Sequence, residues 1–144
     1  MSSVDYHISL NSQEMDLDMI HRFLRNSYWA KNIPKQVVAT AIANSFCVGA
    51  FDQSSQVGFA RLVTDRATFA YLADVFVLSE YRQQGISKRM LDTLLSQPEV
   101  QNLRRVMLVT ADAHGLYRGF GFTDAKHPER MMERHQPDVY LRTK

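Results

Sequence analysis

Residues 77–90 contain the stretch best suited to chemistry. An apolar run ending Phe76-Val77-Leu78 passes into the polar turn Ser79-Glu80-Tyr81-Arg82-Gln83-Gln84-Gly85-Ile86-Ser87-Lys88, and helical spacing begins directly behind it. A helix start leaves backbone N–H groups without partners and carries partial positive charge. Gly85 has no Cβ to hold a ligand away from the backbone, Ser87 is small, and Arg82, Lys88 and Arg89 add positive charge. These features suit a diphosphate seat. They describe equally well a strand-to-helix turn with a solvated charged face, and the turn alone does not choose. Other glycine-loop chemistries fail on spacing: there is no Gly-x-x-x-x-Gly-Lys-Ser/Thr, and no three-glycine dinucleotide fingerprint after the first strand. No metal is expected either. His21, His114, His127 and His135 lack the i, i+4 pairing of a helical zinc site, His7 stands alone, and the single Cys47 cannot build a thiolate cluster.

The elements that must position this turn follow from periodicity. Residues 5–10 alternate and predict a strand. Asn11 and Ser12 offer caps for a helix carrying Met15, Met19, Ile20, Phe23 and Leu24. Pro34 opens a second helix with the apolar stripe Val37, Val38, Ala41 and Ile42. Residues 46–51 and 56–63 flank Asp52-Gln53-Ser54-Ser55 and predict a hairpin. Residues 71–78 are apolar apart from Asp74, which predicts a strand covered on both faces. Ile86, Met90, Leu91, Leu94 and Leu95 share one helical face, and Pro98 closes that helix. A short strand over 106–109, a short helix over 111–118 ended by Gly119 or Gly121, and final strands over 122–125 and 139–141 complete the order. The prediction is one mixed α/β domain over residues 1–144 with an antiparallel front half.

Composition narrows the function classes. A chain of 144 residues, 45% hydrophobic and 22% charged, can bury one full core without staples. Seventeen basic against fifteen acidic residues leave a net charge of +2, and Arg104, Arg105, Arg118 and Arg130 are dispersed, so no nucleic-acid partner is expected. The first 13 residues have no cationic start with an apolar stretch behind it, and no apolar run is long enough to span a bilayer. A cytoplasmic protein with no membrane partner is the expectation, with Cys47 as a small buried hydrophobe.

Arg82-Gln83-Gln84-Gly85-Ile86-Ser87 resembles the Arg/Gln-x-x-Gly-x-Gly/Ala signature of the GNAT-type N-acetyltransferases. A second block, Thr110-Ala111-Asp112-Ala113-His114-Gly115-Leu116-Tyr117-Arg118-Gly119-Phe120-Gly121-Phe122, resembles that superfamily's Asn-x-x-Ala-x-x-Leu-Tyr-x-x-x-Gly-Phe. The resemblance runs from the first strand to Val139 and is nearest to small single-domain bacterial members. The chain departs from the pattern at Ser87, where Gly or Ala is usual, and at Thr110, where Asn is usual.

What the resemblance implies is specific. The fold is α/β, a mixed and mostly antiparallel sheet flanked by helices, with a splayed gap between two adjacent parallel strands, here those ending at Val77 and Val109. Acetyl-CoA is the cosubstrate and no metal is needed. Arg82, Gln83, Gln84, Gly85, Ile86, Ser87 and Lys88 hold its diphosphate, while Phe76, Val77, Thr110 and Tyr117 line the remainder, a main-chain N–H at Phe76 or Val77 facing the thioester oxygen. Tyr117 is the general acid, since a phenol with a pKa near ~10 is protonated at neutral pH. Asp74, a carboxylate inside an apolar strand, is the candidate base; a structural hydrogen bond or a water relay are the other readings, and His114 is a further candidate. Alternation places Asp74 with Leu72 and Phe76. The acceptor, a primary amine of a small molecule or peptide, meets Tyr28, Trp29 and Tyr71, with Ile33, Asp65 and residues 130–135, including Met131 and Met132, nearby. A homodimer is expected because many relatives pair. The competing expectation is a CoA-binding sensor or interaction module that keeps the fold without turnover.

Overall fold

The computed structural model describes residues 6–141, so residues 1–5, part of the stretch read for targeting signals and the start of the first expected strand, lie outside the described residues. The described residues fall into two compact units, one up to Val109 and one from Thr110.

The first unit opens with β1, His7–Ser9. Asn11 then caps a single 3-10 turn, Ser12–Glu14, by accepting from the Gln13 amide. The helix expected directly behind Asn11 starts later. Asp16 supplies a second cap, its Oδ1 accepting from Met19 N at 3.1 Å, and α1 runs Leu17–Arg25. The buried Gln56 fixes this break by accepting from Asp16 N at 2.7 Å, which leaves Met15 outside the helix. α2 spans Lys35–Ala43, with Pro34 at the cap position, where a missing N–H costs nothing. Val38 and Ile42 are buried while Val37 faces out.

Four longer or later strands follow: β2 Phe46–Asp52, β3 Ser55–Thr64, β4 Phe69–Val77 and β5 Arg105–Met107. The sheet order is β1-β2-β3-β4-β5, antiparallel throughout except for the parallel β4–β5 pair. β2 and β3 meet through Gln53-Ser54, with Gln53 taking the positive φ of 57° that a two-residue turn demands. Between β3 and β4, Asp65 accepts from the Thr68 hydroxyl and from the amides of Ala67, Thr68 and Phe69. Those bonds hold its carboxyl below the usual carboxylate range. Asp65 is thus a clasp for its own turn.

Cross-strand pairing sorts the sheet faces. Gly58, Ala60, Leu62, Ala70, Leu72 and Val77 share one face, against which α3, Ile86–Leu95, packs. Gly58 permits that approach: a Cβ there would meet the Met90 side chain at 3.1 Å. Phe59, Arg61, Tyr71, Ala73 and Phe76 share the other face, where Phe23 of α1 stacks on Phe76 with centroids 3.8 Å apart. Leu72 and Phe76 therefore point opposite ways, against simple alternation. An extra residue in β4 causes this: Phe59↔Phe76 and Arg61↔Ala73 leave two β4 residues opposite one β3 residue, and Asp74 takes φ 57°. Nor is β4 covered on both faces along its length, since Tyr71, Ala73, Asp74 and Val75 are half-buried. Pro98 does not merely end a helix; it opens the short α4, Pro98–Gln101.

The second unit contains α5, His114–Arg118, with Gly119 at its end and Gly121 at φ 90°. No strand forms over 122–125 or 139–141 among the described residues, contrary to expectation. The Phe122 amide is already used, donating to Tyr117 O at 3.2 Å to close α5, and Asp124 pairs with Arg118. Val139–Leu141 is a 3-10 turn instead.

Candidate active site

The turn after β4 takes a form that leaves its backbone open. Leu78 caps a 3-10 turn, Ser79–Tyr81, Gln83 adopts φ 64° and Gly85 caps α3 at φ 79°. Among the described residues, the amides of Gln83, Gln84, Gly85, Ile86, Ser87 and Lys88 make no hydrogen bond to another protein atom. A Cβ built on Gly85 would meet nothing within 4 Å, so its side is open space. A row of free N–H groups at the start of a ten-residue helix is an anion seat. The residues present therefore fit a diphosphate.

The turn is braced from below, leaving its amides free. Arg82 Nε donates to Val77 O at 2.9 Å. Tyr6 Oη donates to Gln84 Oε1 at 2.5 Å, and Arg89 Nη2 donates to Tyr6 O at 2.8 Å. Tyr81 Oη donates to Asp52 Oδ2 at 3.2 Å, a bond that raises the phenol above its ordinary range. Lys88 and Arg82 are exposed, whereas the Ile86 side chain is in the core and only its amide belongs to the turn.

Beside the turn, β4 has a free edge. It pairs with β5 at Phe69↔Arg105, Ala70↔Val106 and Tyr71↔Met107, and no described strand continues that edge past Tyr71. Phe76 and Val77, both buried, lie on that unpaired stretch of β4, and β5 ends at Met107, short of the Val109 expected.

The bulge in that stretch places Asp74 at the centre of a side-chain network. Asp74 Oδ2 accepts from Arg61 Nε at 2.7 Å, and Oδ1 accepts from Trp29 Nε1 at 2.8 Å. Arg61 Nη1 also donates to Ser45 Oγ at 3.1 Å. The Asp74 and Arg61 side chains are 9% and 19% exposed. Holding a residue with a Cβ in the left-handed region costs about 1–2 kcal/mol, while removing one partner of a buried ion pair costs about 3–5 kcal/mol. Losing Arg61 would thus cost more than the backbone strain at the residue it binds, and the pair ties the left-handed Asp74 to β3. Each Asp74 oxygen keeps a further lone-pair site for a water or an amine.

The structure brings Asp74 and Trp29 into direct contact and puts Tyr71 on the same sheet face. Tyr28 is 77% and Trp29 44% exposed, their rings edge-to-face at 5.2 Å. Ile33 is buried, with its carbonyl engaged by His21 Nε2 at 2.9 Å, so it is core and not an exposed wall. In the second unit, Tyr117 is buried with its ring against Phe122, Thr110 Oγ1 accepts from Ala113 N at 3.1 Å, and His114, Met131 and Met132 are exposed. Sequence reasoning did not single out Arg61. The available signal was a lone basic residue in one apolar strand and a lone acidic residue in the next.

The profile of the acetyltransferase (GNAT) family matches residues 13–122. A crystal structure of a candidate GNAT acetyltransferase from Xanthomonas campestris pv. campestris is 46% identical in sequence, with a TM-score of 0.93 over 96% of this chain and 99% of that one. A candidate acetyltransferase from Gibberella zeae is 30% identical over 149 residues, 88% of this chain and 84% of the relative. A candidate acetyltransferase from Deinococcus radiodurans R1 shares the fold, with a TM-score of 0.74 at 16% identity over 96% of this chain and 93% of that one.

Proposed function

Because this chain belongs to the acetyltransferase (GNAT) family, we propose that it transfers an acetyl group from acetyl-CoA to a primary amine of a small molecule or peptide, by direct attack with both substrates bound. The observation that carries this reading is the set of unpartnered amides from Gln83 to Lys88 around an open Gly85.

Acetyl-CoA, when bound, supplies an activated acyl thioester. The amides of residues 83–88 hold its diphosphate, with Arg82 and Lys88 contributing positive charge. Phe76 and Val77 lie on the stretch of β4 whose edge lacks a strand partner, and a main-chain N–H there donates to charge developing on the acyl oxygen. Asp74 takes the proton of the amine through a water, using the lone pairs its two partners leave free. Tyr117 Oη gives a proton to the departing sulfur; its warrant is the sequence block from Thr110 to Phe122. Tyr28, Trp29 and Tyr71 bound the acceptor.

The test uses a panel of spermidine, tyramine, glucosamine and a lysine-containing peptide, with free-thiol release as the readout. Acetyl-CoA consumption that depends on one of these amines supports the proposal. Raised thermal stability with acetyl-CoA but no amine-dependent thiol release would leave only a binding module.

A further inference from the structure

Arg61 is the one basic residue of β3, and it is fixed at both ends of its guanidinium: Nε on Asp74 and Nη1 on Ser45. Asp74 in turn accepts the Trp29 indole N–H. One chain of bonds thus runs from Ser45, across β3 and the bulge of β4, to the segment joining α1 and α2. Its two ends differ in character. Arg61 is largely shielded from water, whereas Trp29 and its neighbour Tyr28 present open aromatic surface.

We propose that Arg61 is a positioning residue: by holding Asp74 on its left-handed bulge it seats the Trp29 indole as a wall of the acceptor subsite. The inference rests on the amine-acylating reading above and names how that site's acceptor side is built. Arg suits the task because its planar fork serves two acceptors in fixed directions, which a lysine ammonium does not reproduce. The bulge needs such a clamp because a residue with a Cβ stays at positive φ only where its surroundings hold it there. Without Arg61, Asp74 becomes a shielded carboxylate lacking its cation and turns toward water. Trp29 then loses the acceptor that orients it. Phe23 limits how far the indole can move, since the two rings are 6.2 Å apart, but it offers no hydrogen bond to fix the ring's angle.

Trp29 is the single tryptophan of the chain, so its emission reports the clamp without any ligand. Full-length Arg61→Gln should show a red-shifted emission and readier quenching by acrylamide than wild type. With the panel amine that wild type turns over, its KM should rise about tenfold or more, the scale of a lost positioning contact. The thermal shift produced by acetyl-CoA should be unchanged. Arg61→Lys should fall between the two, and serves if Arg61→Gln does not fold. Wild-type emission, quenching and amine KM in either folded variant would overturn the proposal. So would an equal loss of amine and acetyl-CoA affinity, which marks general loosening. If wild type acetylates no panel amine, the acylation reading fails separately, and the ligand-free emission alone decides whether Arg61 seats Trp29.

Discussion

Replacing Gly85 separates the binding role of the turn from its folding role. At φ 79° a Cβ is strained but meets no protein atom within 4 Å. The conformational cost to an alanine is about 1–2 kcal/mol, and the lost chain entropy of the unfolded glycine offsets about 0.4–1 kcal/mol of it, so Gly85→Ala should lose about 1 kcal/mol of stability. In a domain of this size that lowers Tm by about 3–5 °C. Binding carries a second, independent loss. Wild type with acetyl-CoA at a hundredfold excess over Kd should gain about 2.7 kcal/mol, and a tenfold weaker variant at the same concentration only about 1.4 kcal/mol. The thermal shift should therefore halve on top of the lower starting Tm. Gly85→Asn sharpens the comparison, because asparagine tolerates the left-handed region yet projects more atoms into the open space. It should be the more stable variant without ligand and no better at binding. Thermal scans across an acetyl-CoA titration check both. Full ligand-induced stabilisation in Gly85→Asn would refute the reasoning, since the space beside Gly85 would then not be where the diphosphate lies.

Tyr117→Phe should lower thiol release by about a hundredfold, the low end for general acid catalysis, because a thiolate already leaves readily; the acetyl-CoA thermal shift should stay at the wild-type value. Cys47 is fully buried, and burial pushes its thiol up from 9.0 to about 11. Its folded pKa lies above its unfolded one, so the stability it contributes is complete below about pH 9 and is lost as pH rises toward about 11. Denaturant midpoints of wild type should fall over that window more steeply than those of Cys47→Ala, and the folded thiol should resist maleimide at pH 8. Asp65 shows the opposite sign: hydrogen bonds from Thr68, Ala67 and Phe69 depress its pKa, so its contribution is present above about pH 4 and lost in acid. Asp65→Asn should flatten the Tm profile between about pH 4 and pH 2.

The residues that announced themselves did so through local rules. The α3 face of Ile86, Met90, Leu91 and Leu94 was legible because 3.6-residue spacing needs no knowledge of the rest of the chain. Gly85 was legible because a residue without a Cβ in a short polar turn lets a ligand reach the backbone. The hairpin at Gln53-Ser54 followed from two apolar runs with a short polar link. What stayed hidden depends on partners distant in sequence. The bulge at Asp74 carries no glycine to mark it, and its cause lies with Arg61 thirteen residues away and Trp29 forty-five away. Alternation consequently put Leu72 and Phe76 on one face, where the bulge separates them. The second cap at Asp16 competed with Asn11 and won because Gln56 binds its amide. Strand-like composition over 122–125 gave way to the closing bonds of α5, a choice that composition does not encode. The acceptor side was the least legible, since Tyr28 and Trp29 signal size and exposure but no particular amine.

The central claim is that the free amides at the start of α3 grip the diphosphate of acetyl-CoA, and an amide-resolved NMR titration of ¹⁵N-labelled protein with that compound tests it most directly. The largest shifts should fall on Gln83, Gln84, Gly85, Ile86, Ser87 and Lys88, and in Gly85→Asn the same shifts should need about tenfold or more acetyl-CoA to reach half their full size. Shifts confined elsewhere, for instance to the groove lined by Tyr6, His7, Ile8, Arg89, Asp92 and Thr93, or no shifts at saturating ligand, would contradict it.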